Sequence, residues 1–414
     1  MGKDLFLVVI YDSKHVRCAD IAAKLYLPCT LSEFEDALQK ARIEDERKCK
    51  KDLIQVLYPG ILSDMLGRDI DLRELNVLAA RLSILNEKER IGLEGMLQLE
   101  KANHSGSIPL SRLINLTFHT DKCLQVPGIT SDESLGKYLY KSGEFSPELT
   151  TVLDSVGQET NLQKMLLMVF GQRHRLTKGG LFTDQNYMEP KGKIGEVYWK
   201  GRIPCFPLCN HPVVVEMGRG SFDDSGCNET TVMGLPARDD AFWQAMNKVG
   251  AASPEECALR CIDCKIPALR DAVNDAIEEG GIGQANAFAR VLSKKMDTWS
   301  AKTFAKYKAI LSVSGYTSLQ DAVELMQRVD EYHFRPEVAT GPDYAKLALQ
   351  ERYPNLPEEL LQTPQADQVG RRMLEEDNAA ITEYGLIQRK DGGPLRVFQQ
   401  EQEEFSVWGG MEMI

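Results

Sequence analysis

An α+β fold built twice in tandem is what this sequence predicts, on three observations. Short β-branched runs alternate with helical apolar periods along the whole chain. The stretch LSRLINLTFHTDKCLQVPGITSDESLGKYL, from Leu110 to Leu139, lies without a gap over LQDAVELMQRVDEYHFRPEVATGPDYAKLA, from Leu319 to Ala348, at a constant offset of 209. Upstream the register barely slips: Leu27-Pro28 falls on Leu235-Pro236 and Phe34 on Phe242 at 208, and Asn76 falls on Asn286 at 210. Such self-similarity sets the size of the structural unit before any motif is read. Each copy is expected to run as a small α+β module, a helical bundle segment and a second small α+β module. The expected boundaries are 1–175 for the first unit, 176–204 for a linker, 205–395 for the second unit and 396–414 for a polar, acidic tail.

Taken in order, LFLVVIY (Leu5–Tyr11) reads as a strand. Thr30 or Ser32 is placed to cap a helix carrying Phe34, Ala37, Leu38 and Ala41. LIQVLY (Leu53–Tyr58) reads as a strand stopped by Pro59-Gly60. Leu72, Leu75, Leu78, Leu82 and Leu85 form one apolar helical stripe. Asn86 with Glu89 makes a capping box for a helix carrying Leu93, Met96 and Leu97. A helix at Leu110–Thr117, a strand at Cys123–Val126, a helix capped by Ser131 and a helical run at Asn161–Phe170 complete the first copy. The Gly-, Lys- and Arg-rich stretch that follows reads as the linker. The second copy repeats the order: strand at Val213–Val215, helix at Phe242–Lys248, strand at Leu259–Ile266, then helices from Ala268 to Leu311 and Ser318 to Val329.

The totals exclude several classes. A net charge of −12, from 49 Lys/Arg and 61 Asp/Glu, disfavours direct nucleic-acid binding, which needs a cationic footprint. Residues 351–414 hold six Lys/Arg and thirteen Asp/Glu, a charge of −7. No apolar run approaches the length of a membrane span. The N-terminus carries no secretion pattern, so the ten cysteines are expected as reduced thiols in a cytoplasmic protein.

PEELL followed by QVGRRMLEEDNAAITEYGLIQR, which closes at Arg389, resembles the closing signature of the ArdA antirestriction family. IGQANAFARVL and DLRELNVLAARL resemble that family's central helical segment, and LPCTLSEFEDAL its first helix. The resemblance covers roughly 5–175 and 212–390. It implies an antirestriction protein of a mobile genetic element: an acidic DNA mimic that occupies the DNA channel of type I restriction–modification enzymes. It also implies no cofactor, no membrane and no nucleic acid as partner, and either a homodimer or an intrachain pseudo-dimer. The chain differs from usual members in holding two copies. The acidic residues placed in the matching stretch are Glu351, Glu358, Glu359, Asp367, Glu375, Glu376, Asp377 and Glu383, acting collectively. Carboxylates spaced along a rigid face compete for the Arg and Lys that an enzyme offers to phosphates. The alternative is a structural or regulatory interaction module of a mobile element, using the fold without mimicry.

A metal-dependent enzyme is the third reading. Cys205, Cys209 and His211 (CFPLCNH) with Cys261 and Cys264 (CALRCIDC) have ligand-type spacing. The repeat aligns Cys261 and Cys264 with apolar strand positions, however, where residues three apart point to opposite faces, so buried thiols are expected. No Walker loop, H-E-x-x-H or G-x-S-x-G is present. The expectation is therefore a protein without catalytic residues.

Overall fold

The structure is a computed structural model that describes residues 4–12, 21–68, 70–157, 160–206, 210–222, 229–355, 357 and 365–398, the side chains of 366 and 367 excepted. Among these residues it is mixed α+β, with fourteen helices and twelve strands in four three-stranded sheets. None of these helices is long and apolar enough to cross a membrane.

The chain divides into two compact units: Met1–Val8, Tyr26–Cys29 and Asp52–Phe206 form the first, and Val9–Leu25, Thr30–Lys51 and Pro207–Ile414 the second. The opening strands are β1 (Phe6–Asp12), β2 (Ala23–Leu27) and β3 (Cys49–Val56), in the order β2-β1-β3. Between β2 and β3 runs α1 (Leu31–Lys40). Thr30 Oγ1 accepts from Glu33 N at 3.2 Å while Glu33 accepts from Thr30 N at 2.8 Å, a reciprocal cap.

In the first unit, α2 (Leu72–Ser83), α3 (Glu87–Asn103) and α4 (Leu110–Leu116) bury the leucine stripe, with Leu75, Leu78, Leu82, Leu93 and Leu113 each at 1% exposure. Asn76 ties α2 to the chain after β2. Its Oδ1 accepts from Cys29 N at 2.8 Å and its Nδ2 donates to Cys29 O at 3.0 Å and Cys205 O at 2.8 Å. A second sheet, β4-β6-β5, consists of β4 (Cys123–Pro127), β5 (Leu181–Phe182) and β6 (Asn186–Pro190), with Val126 opposite Tyr187. Over it lie α5 (Asp132–Lys141), α6 (Pro147–Ser155) and α7 (Asn161–Lys178). Helices α5 and α7 touch backbone to backbone. A Cβ on Gly136 would overlap Leu167 O, and one on Gly171 would overlap Asp132 O. Arg175 fixes the same contact, with Nε and Nη2 donating to the two Asp132 carboxylate oxygens at 2.8 and 3.1 Å.

The stretch 176–204 therefore does not act as a linker. It supplies two strands of the first unit's sheet and then Tyr198, fully buried, whose backbone N and O are held by the Asn115 amide at 2.7 and 2.8 Å. Its Gly, Lys and Arg content disguised a strand whose buried residues, Tyr187 to Glu189, are only three in a row.

The second unit opens with β7 (Val213–Arg219), β8 (Thr230–Leu235), α8 (Asp239–Val249) and β9 (Cys257–Cys264), the sheet order being β8-β7-β9. Then come α9 (Arg270–Gly280), α10 (Ile282–Thr298), α11 (Ala301–Ser314) and α12 (Leu319–Gln327). Asn286 on α10 repeats the arrangement of Asn76: Oδ1 accepts from Ala237 N at 2.8 Å and Nδ2 donates to Ala237 O at 3.0 Å. The closing sheet, β10-β12-β11, contains β10 (Tyr332–Arg335), β11 (Ala379–Thr382) and β12 (Gly385–Arg389), beside α13 (Gly341–Arg352) and α14 (Gln365–Glu376). Here too a glycine permits the helix contact, since a Cβ on Gly370 would overlap Gly341 O. Thus both opening sheets place their first strand in the middle, and both closing sheets place their last strand in the middle.

Helix α1, expected within the first unit, belongs with the second unit by its contacts. Its polar face is satisfied there: Ser32 Oγ donates to Asp263 Oδ2 at 3.1 Å, Glu33 pairs with Arg270, and Glu35 pairs with Lys265.

Candidate acidic faces and thiol sites

Of the eight carboxylates singled out from the sequence, Glu358 and Glu359 and the side chain of Asp367 lie outside the described residues. Four of the others are paired with cations. Arg335 Nη2 donates to Glu351 at 2.6 Å, Arg372 Nε to Glu376 at 3.0 Å, and Lys40 Nζ lies 2.8 Å from Glu383. Asp377 accepts from Arg352 Nη2 at 2.6 and 2.8 Å and from the Tyr344 hydroxyl at 2.6 Å. Glu375 is exposed and has no ion pair among the described residues. The side chains thus sit on different elements, and much of their charge is already answered locally.

A different row carries unanswered charge. Along α9, Asp271, Asp275, Glu278 and Glu279 recur at helical spacing on the solvent side, opposite the buried Val273, Ala276 and Ile277. All four are exposed, and none forms an ion pair among the described residues. With a rise of 1.5 Å per residue the four span about 12 Å, one charge per ~3–4 Å, close to the axial charge spacing of one DNA strand. The row is hidden in the sequence because the charge excess is concentrated in residues 351–414. The i, i+4, i+7, i+8 pattern was the signal that marks it.

The deepest charged group is elsewhere. Lys308 on α11, 4% exposed, donates from Nζ to Asp36 Oδ1 at 2.7 Å and to Gln39 Oε1 at 2.9 Å. The Tyr384 hydroxyl donates to the same Asp36 oxygen at 2.9 Å, and Lys40 Nζ lies 3.3 Å from the other. Burial lowers the pKa of Lys308 despite the facing Asp36 carboxylate, while burial and Asp36 raise that of Tyr384. These groups anchor α1 within the second unit. They face one another.

The cysteine reading is corrected in one respect. Cys261 and Cys264 do not point to opposite faces, because the register of β7 against β9 shifts between Val214 and Val215. Val214 faces Asp263 and Val215 faces Cys261, so Ile262 is the extra residue of a bulge. Both thiols consequently enter the same apolar core, at 5% and 0% exposure. Burial pushes the Cys261 thiol up to about 12 and raises that of Cys264 as well, the opposite of what thiolate ligation needs. Cys205 is partly buried in the first unit, Cys209 lies outside the described residues, and the His211 ring packs against Gly234. Among the described residues no three His, Cys, Asp or Glu side chains are grouped to hold a metal ion.

Compared with family models, curated proteins and solved structures, the chain gives no match.

Proposed function

We propose that this chain is a tandem of two ArdA-like units from a mobile genetic element. In the cytoplasm it binds and inhibits type I restriction–modification enzymes by presenting carboxylates in place of the DNA backbone, without catalysis or cofactor. The observation that carries the reading is the α9 row, Asp271, Asp275, Glu278 and Glu279, exposed and without cation partners among the described residues. The net charge of −12 agrees with it. The tandem part is supported by the matching sheet orders and by the Asn76 and Asn286 clamps at aligned positions.

Charge mimicry is collective and sensitive to salt. Inhibition of DNA cleavage by a purified type I enzyme is therefore expected to weaken about tenfold or more between 50 and 200 mM salt. The combined variant D271N/D275N/E278Q/E279Q is expected to weaken it at least tenfold at fixed salt, while each single substitution changes it less than about threefold. A combined variant as potent as the parent would sink the mimicry.

The paired carboxylates of the closing segment favour a second reading, an interaction module without mimicry. On that reading the chain binds its partner with little dependence on salt, and α9 is dispensable.

A further inference from the structure

Helix α8 stands in the second copy where α1 stands in the first, at an offset of 208. Yet α1 is covered by α11 and β9, whereas α8 leaves Trp243 exposed to 52%. The surface that would correspond to α1's seat lies on the first unit, where β3 aligns with β9 at the same offset. The N-caps Asn86 and Ser300 place α3 over α11 at an offset of 214, and β6 falls on β12 at 199. That surface is open, with Leu57 exposed to 45%.

Four of the contacts that seat α1 have compatible pairs of residues at the corresponding positions. Glu35 with Lys265 becomes Trp243 with Leu57, an ion pair replaced on both sides by exposed apolar groups. Lys40 with Glu383 becomes Lys248 with Asp184, both exposed and without an ion pair among the described residues. Asp36 with Lys308 becomes Gln244 with Glu94, and Ser32 with Asp263 becomes Asp240 with Gln55. Two independent drifts would leave mismatches, such as a tryptophan opposite a lone charge. In these four pairs each change on one side is answered on the other.

We infer that α8 of one molecule docks on the β3–α3 face of a second copy of this chain, in the manner in which α1 docks on β9 and α11. The contact joins two different surfaces, so it propagates from chain to chain unless geometry closes the ring. The inference rests on the internal repeat and not on antirestriction activity.

Sedimentation velocity of the full chain between 1 and 100 µM tests it. The parent is expected to sediment as two or more chains. Trp243→Glu or Leu57→Lys alone is expected to weaken association at least tenfold, with melting temperature unchanged because both side chains are exposed. The double variant W243E/L57K recreates the ion pair of Glu35 with Lys265 and is expected to regain association. A parent that remains a single chain at 100 µM overturns the inference. So does association indifferent to both single variants, or a double variant that stays as weak as either single. A chain that inhibits restriction yet never associates would remove this interface and leave the proposed function standing; one that associates without inhibiting would do the reverse.

Discussion

Lys308 and Asp36 show how much a single residue's role depends on partners far away in sequence. Removing one member of a buried ion pair leaves an uncompensated charge, typically at a cost of 3–5 kcal/mol. Lys308→Ala is therefore expected to destabilise the second unit by about that much in chemical denaturation, since Asp36 would remain at 7% exposure. Lys308→Met combined with Asp36→Leu is expected to recover most of the loss, because neither charge is then buried. Asp263 gives a pH effect of definite sign. It is 6% exposed, one of its oxygens has no partner, and burial raises its pKa above the ordinary 3.8. The folded chain thus binds more protons than the unfolded chain between 3.8 and the raised value. Stability from this group is full below that window and declines as pH rises through it. Asp263→Asn is expected to abolish the decline, so its melting temperature gains on the parent from pH 4 to pH 7. None of these partners was legible in the sequence, because each pairing spans more than two hundred residues.

At the level of elements the sequence was more informative, where a physical signal is local. The leucine stripe of α2 and the Asn86–Glu89 capping box are present as the residues dictate, and of the two candidate caps for α1 it is Thr30 that serves. Strands β2, β8 and β6 are missed by the sequence reading, as are β5 and β10. Strands β2 and β8 are short pieces whose pattern gives no more than a Leu-Pro stop, and β5 and β6 lie in a stretch rich in Gly and Lys. The bulge in β9 was invisible because it is set by pairing with β7 rather than by β9's own composition. Helix contacts supply two further predictions. Gly171→Ala puts a methyl group into Asp132 O; α5 and α7 must then separate, at a cost expected to exceed about 3 kcal/mol in urea unfolding. Asn76→Ala and Asn286→Ala each leave a backbone donor and acceptor unanswered, so each is expected to cost roughly 1–3 kcal/mol. Similar losses at the two aligned positions would be the energetic mark of a repeated unit.

For the whole molecule, the mixed α+β class was legible, while the assignment of segments to units was not. The repeat suggested that residues 1–175 fold with themselves, yet α1 is spent on the second unit. A fragment starting at Pro207 would leave Lys308, Lys265 and Arg270 without their acidic partners. It is expected to melt well below the full chain, and separately expressed residues 1–206 would expose α1. The candidate site was legible only in kind: the sequence pointed to acidic surface, but which carboxylates are answered by arginines is a property of the tertiary arrangement.

That exchange of α1 has a consequence for the ribosome. Asp36 is made early, whereas Lys308 and Tyr384 follow hundreds of residues later, a delay of tens of seconds at 5–20 residues per second. During that interval the nascent helix has no seat, and Glu33, Glu35 and Asp36 keep its waiting face hydrated. Translation speed downstream of the first unit therefore sets how long an unfinished chain stays open to mispairing with its neighbours on the same message.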